Sequence, residues 1–158
     1  YKLFIAGKRP EEFPNTRNIP SEWEYYQMVN KKIKDNNLED SVIYTGWVEI
    51  PEFLKKIGYT FSLSSKKIPE SFHIAPFECM ASNGIGLALK WEGIEYIFPD
   101  EAVCNSLDEI VEKIEYYNSH DKDYKEIASK EREFARENYD LPVIFDCILN
   151  LLDYKGEF

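Results

Sequence analysis

Positive charge is what this sequence most lacks. Nineteen Lys and Arg stand against 29 Asp and Glu, a formal net charge of -10. That balance opposes binding to DNA, RNA or an anionic membrane surface, partners held by clustered cations. It does not exclude a single nucleotide diphosphate, which local backbone amides can hold. Long apolar runs are missing too: none approaches the ~20 residues needed to span a bilayer, and no signal-peptide pattern is visible. Cys79, Cys104 and Cys147 are odd in number, scattered and without metal-ligand spacing. Each therefore reads as a small buried hydrophobe in a reducing, cytoplasmic setting. There is no internal repeat and no low-complexity segment. Asp121-Lys-Asp123 has the spacing of a metal pair, but it opens a helical pattern where acids suit the helix dipole.

What is present suits one compact domain. The chain has 158 residues, 44% hydrophobic and 15% aromatic, enough for a core of ordinary size. It begins at Tyr1 rather than Met and enters a strand pattern at once, which reads as a piece of something longer. Strand and helix patterns then alternate. A short buried strand from Lys2 to Ala6 ends at Gly7, and a long loop runs from Lys8 to Pro20. Ser21-Glu-Trp-Glu24 reads as a capping box opening a helix with Tyr26, Val29 and Ile33 on its apolar face. Val42 to Thr45 forms the next strand, closed by Gly46, and Pro51 to Ile57 a short helix stopped by Gly58. Tyr59-Thr-Phe-Ser alternates like a strand, a helix starts near Ile74, and Ile85 to Leu89 is a further strand. After a weaker strand at Ala102 to Cys104, an amphipathic helix is capped at Ser106 or Asp108. Two closing helices cover about 121–153, with Pro142 between them. Such alternation predicts an α/β fold, a parallel sheet with helices on both faces and ligands at the carboxyl ends of the strands. The loops from Gly7, Gly46, Ser64 and Lys90 all leave such ends and are expected on one rim.

The run Glu70-Ser-Phe-His-Ile-Ala-Pro-Phe-Glu78 carries the chemistry. Pro76 is tolerated only in a first helical turn, so the unpaired amides of the helix start fall around Phe72 to Ala75. Such amides bind phosphate through hydrogen bonds and the helix dipole. Glu70 precedes that turn and Glu78 lies inside the helix. Each carboxylate can accept from two neighbouring hydroxyls, so the pair suits a sugar nucleotide better than a bare phosphate. Spacing alone leaves a second reading equally open, with Glu70 a solvated loop acid and Glu78 a surface helix residue.

With Cys79-Met-Ala-Ser-Asn-Gly84 and Trp91-Glu-Gly-Ile-Glu-Tyr-Ile-Phe-Pro99 following it, this stretch resembles the C-terminal, donor-binding domain of GT-B retaining glycosyltransferases, in the large family with an E-x7-E motif. The resemblance is specific over Ser64 to Pro99 and generic elsewhere. It implies a Rossmann-like parallel sheet, one half of a GT-B architecture. It also implies a hexosyltransferase-type activity that uses a nucleotide-diphosphate sugar, retains configuration and needs no metal cofactor. Glu78 would hold the donor's ribose hydroxyls and Glu70 the transferred sugar. The backbone after Phe72, at His73, Ile74 and Ala75, would bind the diphosphate, and Trp47 and Val48 would lie beside the base. Gly7 and Lys8, with Arg9, would add a rim turn near the phosphates. A first βα unit, whose strand and loop carry an Arg and a Lys for the diphosphate, and an N-terminal acceptor domain of the same chain are expected before Tyr1. Without them the fragment is expected to be inactive, and any membrane association is expected to lie with that missing part.

Departures from the pattern leave alternatives. His73 stands where the family prefers glycine: the imidazole either donates to a phosphate or only fills space. Trp47 stacks on the base or packs as a rim aromatic, and Lys8 and Arg9 touch phosphate or form a solvated turn. Asn83-Gly-Ile-Gly86 replaces the usual G-x-P-V, and Glu92-Gly93 retains one of two usual glycines. Two rival functions are a non-catalytic binding or assembly module and a nucleotide-sugar epimerase. The latter would need further acid and base residues that the sequence does not offer.

Overall fold

The computed structural model describes residues 1–64 and 72–152. Glu70 and most of the loop before Phe72 lie outside the described residues. The chain divides into two compact units, Tyr1–Phe53 and Leu54–Phe158.

In the first unit β1 (Leu3–Ala6) pairs in parallel with β2 (Val42–Gly46). Both strands end at glycines with positive φ, +136° at Gly7 and +70° at Gly46, a conformation that L side chains resist. The two glycines exchange N–H···O bonds of 2.9 and 3.1 Å. The expected buried character of β1 is wrong: Leu3 and Phe4 are 46% and 39% exposed. A two-stranded ladder offers little cover, and the Phe53 ring, edge-on to Phe4 at 6.1 Å, is the aromatic contact on it. The expected long loop is also structured. It holds a 3-10 turn at Pro10–Glu12 and a short helix, α1 (Pro14–Asn18), each opened by a proline. Asn30 donates to Glu11 and ties that turn to α2 (Pro20–Asp35). Helix α2 starts one residue before the expected capping box, with Pro20 at its first position and no side-chain cap. Ser21 and Glu24 thus lie inside the helix. The expected stripe holds, since Tyr26, Val29 and Ile33 are half-buried among exposed neighbours. A five-residue helix, α3 (Ile50–Leu54), leads out of the unit.

The second unit is built on β3 (Tyr59–Ser62), β4 (Ile85–Leu89) and β5 (Val103–Cys104), all parallel in the order β3-β4-β5. The described strands thus stand in two parallel ladders. Residues 85–88 of β4 are buried, as in a strand covered on both faces. On one face Ala88 packs with Phe77 and Met80 of α4 (Ile74–Ala81). On the other, Ile85 and Leu87 pack with Ile110 of α5 (Leu107–Ser119). Gly86 is required for the first contact: a Cβ there would lie 2.8 Å from Met80 Cε and 2.9 Å from the Pro76 carbonyl oxygen. Ser106 is the cap of α5, its Oγ accepting from the Glu109 N–H at 3.1 Å, while Glu109 accepts in return from the Asn105 N–H at 2.7 Å.

Helix α6 (Asp121–Tyr139) gives Ala128 to one core cluster and Ala135 to the other. Between them Glu131 is fully buried and accepts from the Gly86 N–H at 2.8 Å. Strand β5 pairs with β4 only from Ala88 onward, so this carboxyl takes a place where the ladder supplies no partner. Pro142 proves to lie in the first turn of α7 (Leu141–Leu151), which is capped by Asp140. Helix α7 contributes no buried residue. The expectation that all three cysteines are buried therefore holds for Cys79 and Cys104 and fails for Cys147. No helix among the described residues is long and apolar enough to cross a membrane.

Candidate functional site

In the second unit the structure brings Phe72, His73, Ile74, Ala75 and Glu78 together around the start of one helix. Strand β3 ends at Ser62, and α4 opens with His73 as its extended N-cap. The first amides of α4 lack intrahelical acceptors, and Pro76 in that turn offers none. Two side chains of β3 hold the turn from below. Thr60 Oγ1 donates to the Ala75 carbonyl at 3.4 Å, and Ser62 Oγ meets His73 Nδ1 in a close hydrogen bond. The His73 ring is 6% exposed. It turns inward onto β3 and leaves its backbone at the helix entrance.

Phe72, Ile74 and Glu78 line one cleft of about 410 Å3, within the range of small-molecule sites. Phe72 stacks on Phe77 with ring centroids 4.9 Å apart and meets Tyr139 edge-on at 5.2 Å. Tyr139 is fixed in turn by its hydroxyl, which donates to the Ile97 carbonyl at 2.5 Å. The opposite wall holds Arg132 and Arg136 of α6. Ala75 is exposed at the helix start and Glu78 half-buried on the cleft. Sequence reasoning missed Arg132, Arg136 and Tyr139, although their spacing of four and three puts them on one helix face. Glu131 was missed as well. It falls in the apolar stripe of Tyr124, Ala128 and Ala135, so an acid at a core position was the signal. Burial pushes its pKa up to about 8, Glu101 adds to the rise, and the Gly86 N–H and Lys113 oppose it.

In the first unit the reciprocal glycine bonds set the Gly7–Lys8 and Gly46–Trp47 turns side by side at the carboxyl ends of β1 and β2. Trp47 is 86% exposed, Lys8 is exposed and Val48 half-buried. Arg9 lies over the Tyr44 ring, 5.6 Å from its centroid. Among the described residues no three His, Cys, Asp or Glu side chains cluster as a metal site would require.

The fold of the chain is shared with known proteins. Anabaena HepE, solved with UDP and glucose, superposes with a TM-score of 0.77 at 18% identity over 96% of this chain. Sucrose-phosphate synthase from Thermosynechococcus elongatus gives 0.71 at 14% over 96%, and a glycosyltransferase from Rickettsia africae gives 0.68 at 17% over 99%. The chain spans 40%, 38% and 41% of those three proteins, respectively. The likeness establishes the α/β fold of a GT-B glycosyltransferase domain. No curated protein sequence matches the chain significantly. A model of the family described as glycosyl transferase-like matches residues 5–148. The chain belongs to the glycosyl transferase-like family.

Proposed function

We propose that this chain is the donor-binding domain of a glycosyltransferase that takes a nucleotide-diphosphate sugar. The observation that carries the reading is the placement of Phe72, Ile74 and Glu78 on one cleft at the start of α4, in a fold shared with HepE, which was solved with UDP-glucose.

In this reading Glu78 accepts from the ribose hydroxyls, and the amides of His73, Ile74 and Ala75 hold the diphosphate with help from the helix dipole. The inward turn of the His73 ring supports this, because it leaves the helix entrance open for phosphate as glycine would. Trp47 and Val48 lie beside the base in this reading, Trp47 stacking on it, and Lys8 adds charge near the Gly7 turn. Glu70, outside the described residues, orients the transferred sugar in an E-x7-E pairing with Glu78. Catalysis then rests on positioning and on stabilising the charge of the departing diphosphate. Configuration is retained and no metal is required. The acceptor is a glycan, a lipid or another molecule, and a hexosyl group is transferred.

A second domain of the same chain completes the enzyme. Its support here is α7, where Leu141, Phe145 and Leu151 are 69%, 60% and 85% exposed. An apolar helix left this bare needs a partner surface. The rival reading, a non-catalytic binding module, retains the same ligand without turnover.

Titration of the intact protein with UDP, GDP and ADP tests the reading. One of the three should bind, and Glu78→Ala should weaken it by about tenfold, the value of one charge-assisted hydrogen bond. Glu70→Ala should spare the nucleotide and weaken only the sugar-bearing donor. Equal losses from both changes would refute the division of roles, and failure of all three nucleotides to bind would refute the donor site.

A further inference from the structure

The cleft beside α4 has a wall that the donor reading leaves unused. Most cations of α6 are neutralised by their own helix. Lys125 pairs with Asp121 at 2.6 Å, Lys130 with Glu126 at 2.9 Å, and Arg136 with Glu133. Arg132 has no ion-pair or hydrogen-bond partner among the described residues, and it is exposed. Besides the cleft it shares with Glu78, Arg132 lines a second, more polar cleft of about 490 Å3 with Asn83, Tyr124 and Ser129. An unneutralised guanidinium at a cleft is notable in a chain with a net charge of -10.

The chemistry of the shared cleft narrows what fits. Glu78 presents a carboxylate able to accept from two vicinal hydroxyls, and Arg132 a planar fork that gives two parallel N–H bonds to a phosphate. No ion pair joins the two among the described residues, so neither has consumed the other. A bare anion would use only Arg132 and would be repelled by Glu78 and Asp140, which also lines the cleft. A neutral sugar would use only Glu78. A ligand with vicinal hydroxyls and a phosphate on the same ring uses both, and the Phe72 and Tyr139 rings offer apolar faces to its remainder.

We infer that Arg132 is a phosphate-binding residue of the donor cleft and that, with Glu78, it recognises the ribose-phosphate unit of a nucleoside diphosphate. The inference rests on the donor reading above and assigns a cation to it from within this chain.

The test compares the pairs uridine and UDP, guanosine and GDP, and adenosine and ADP, titrated into the intact protein, its Arg132→Ala variant and its Arg132→Lys variant at low and high salt. Arg132 is exposed, so the fold should survive both changes, and circular dichroism checks that it does. For the base that binds, Arg132→Ala should lower diphosphate affinity about tenfold while leaving the nucleoside unchanged. The salt dependence of diphosphate binding should shrink in that variant, and Arg132→Lys should restore part of the loss. Diphosphate binding by Arg132→Ala equal to wild type would overturn this inference and leave the donor reading standing. An equal loss of nucleoside and diphosphate would do the same, because it would make Arg132 a shape-determining residue. Failure of every nucleotide to bind the wild-type protein would overturn the donor reading and this inference with it.

Discussion

Stability should fall as pH rises through the neutral range, and one residue should account for it. Glu131 is fully buried, with one oxygen on the Gly86 N–H and the other, Oε1, without a hydrogen-bond partner among the described residues. Burial raises its pKa from 4.5 to about 8. A raised folded-state value means that the folded protein keeps a proton which the unfolded chain has already released. The stabilisation is fully present below about pH 4.5 and is lost progressively as pH climbs towards 8. Each pH unit in that window costs about 1.4 kcal/mol, so the whole interval costs on the order of 5 kcal/mol. Against a typical stability of about 5–15 kcal/mol this is a large share. The groups facing the carboxyl are Lys113, Glu101, Cys79, Cys104, Tyr117 and Tyr124. The tyrosine and cysteine values are all raised, so those groups stay neutral across the window. Glu109 has a lowered pKa and acts in the opposite sense, losing its contribution only as pH falls below the ordinary carboxylate value. Urea denaturation at pH 5, 6, 7 and 8 measures the slope in wild type and in Glu131→Gln. The amide keeps an acceptor for Gly86 but cannot ionise, so its stability should be nearly flat where wild type declines. Parallel pH profiles for the two proteins would refute the reasoning.

Two further outcomes follow from local packing. Gly86→Ala should destabilise by about 1–3 kcal/mol, because its Cβ would sit 2.9 Å from the Pro76 carbonyl and force α4 off the sheet. Thermal melting measures the loss, and nucleotide binding should weaken with it because the donor turn begins α4. Ser106→Ala removes the cap of α5 and should cost about 1 kcal/mol, with Ser106→Thr recovering most of it in the same denaturation assay.

The parallel α/β alternation was legible because its signals are local. Pro76 in a first turn placed the start of α4, Ile85, Leu87 and Leu89 alternating with small residues marked β4, and Ser106 marked α5. The failures share a cause, which is that burial depends on neighbours distant in sequence. Leu3 and Phe4 look like core and are exposed because their ladder has two strands. Cys147 looks like core and is exposed because α7 rests on little. The Ser21 capping box failed because Pro20, one residue earlier, already suits the first helical position. For the site, the run around Glu78 gave one wall of the cleft. The other wall comes from α6, more than fifty residues later in the sequence, where Arg132 and Tyr139 look like ordinary helix surface until α4 is laid beside them.

The reciprocal bonds between Gly7 and Gly46 have a practical meaning for redesign. They act as a staple at the mouth of β1 and β2, closing the strands before either turn departs. Residues beyond the staple can be lengthened, shortened or exchanged while strand register is set upstream of the change. Trp47 stands one residue past it and Lys8 likewise, so a library randomised from those positions would sample new contacts on an unaltered frame. Replacing either glycine would instead move both turns at once.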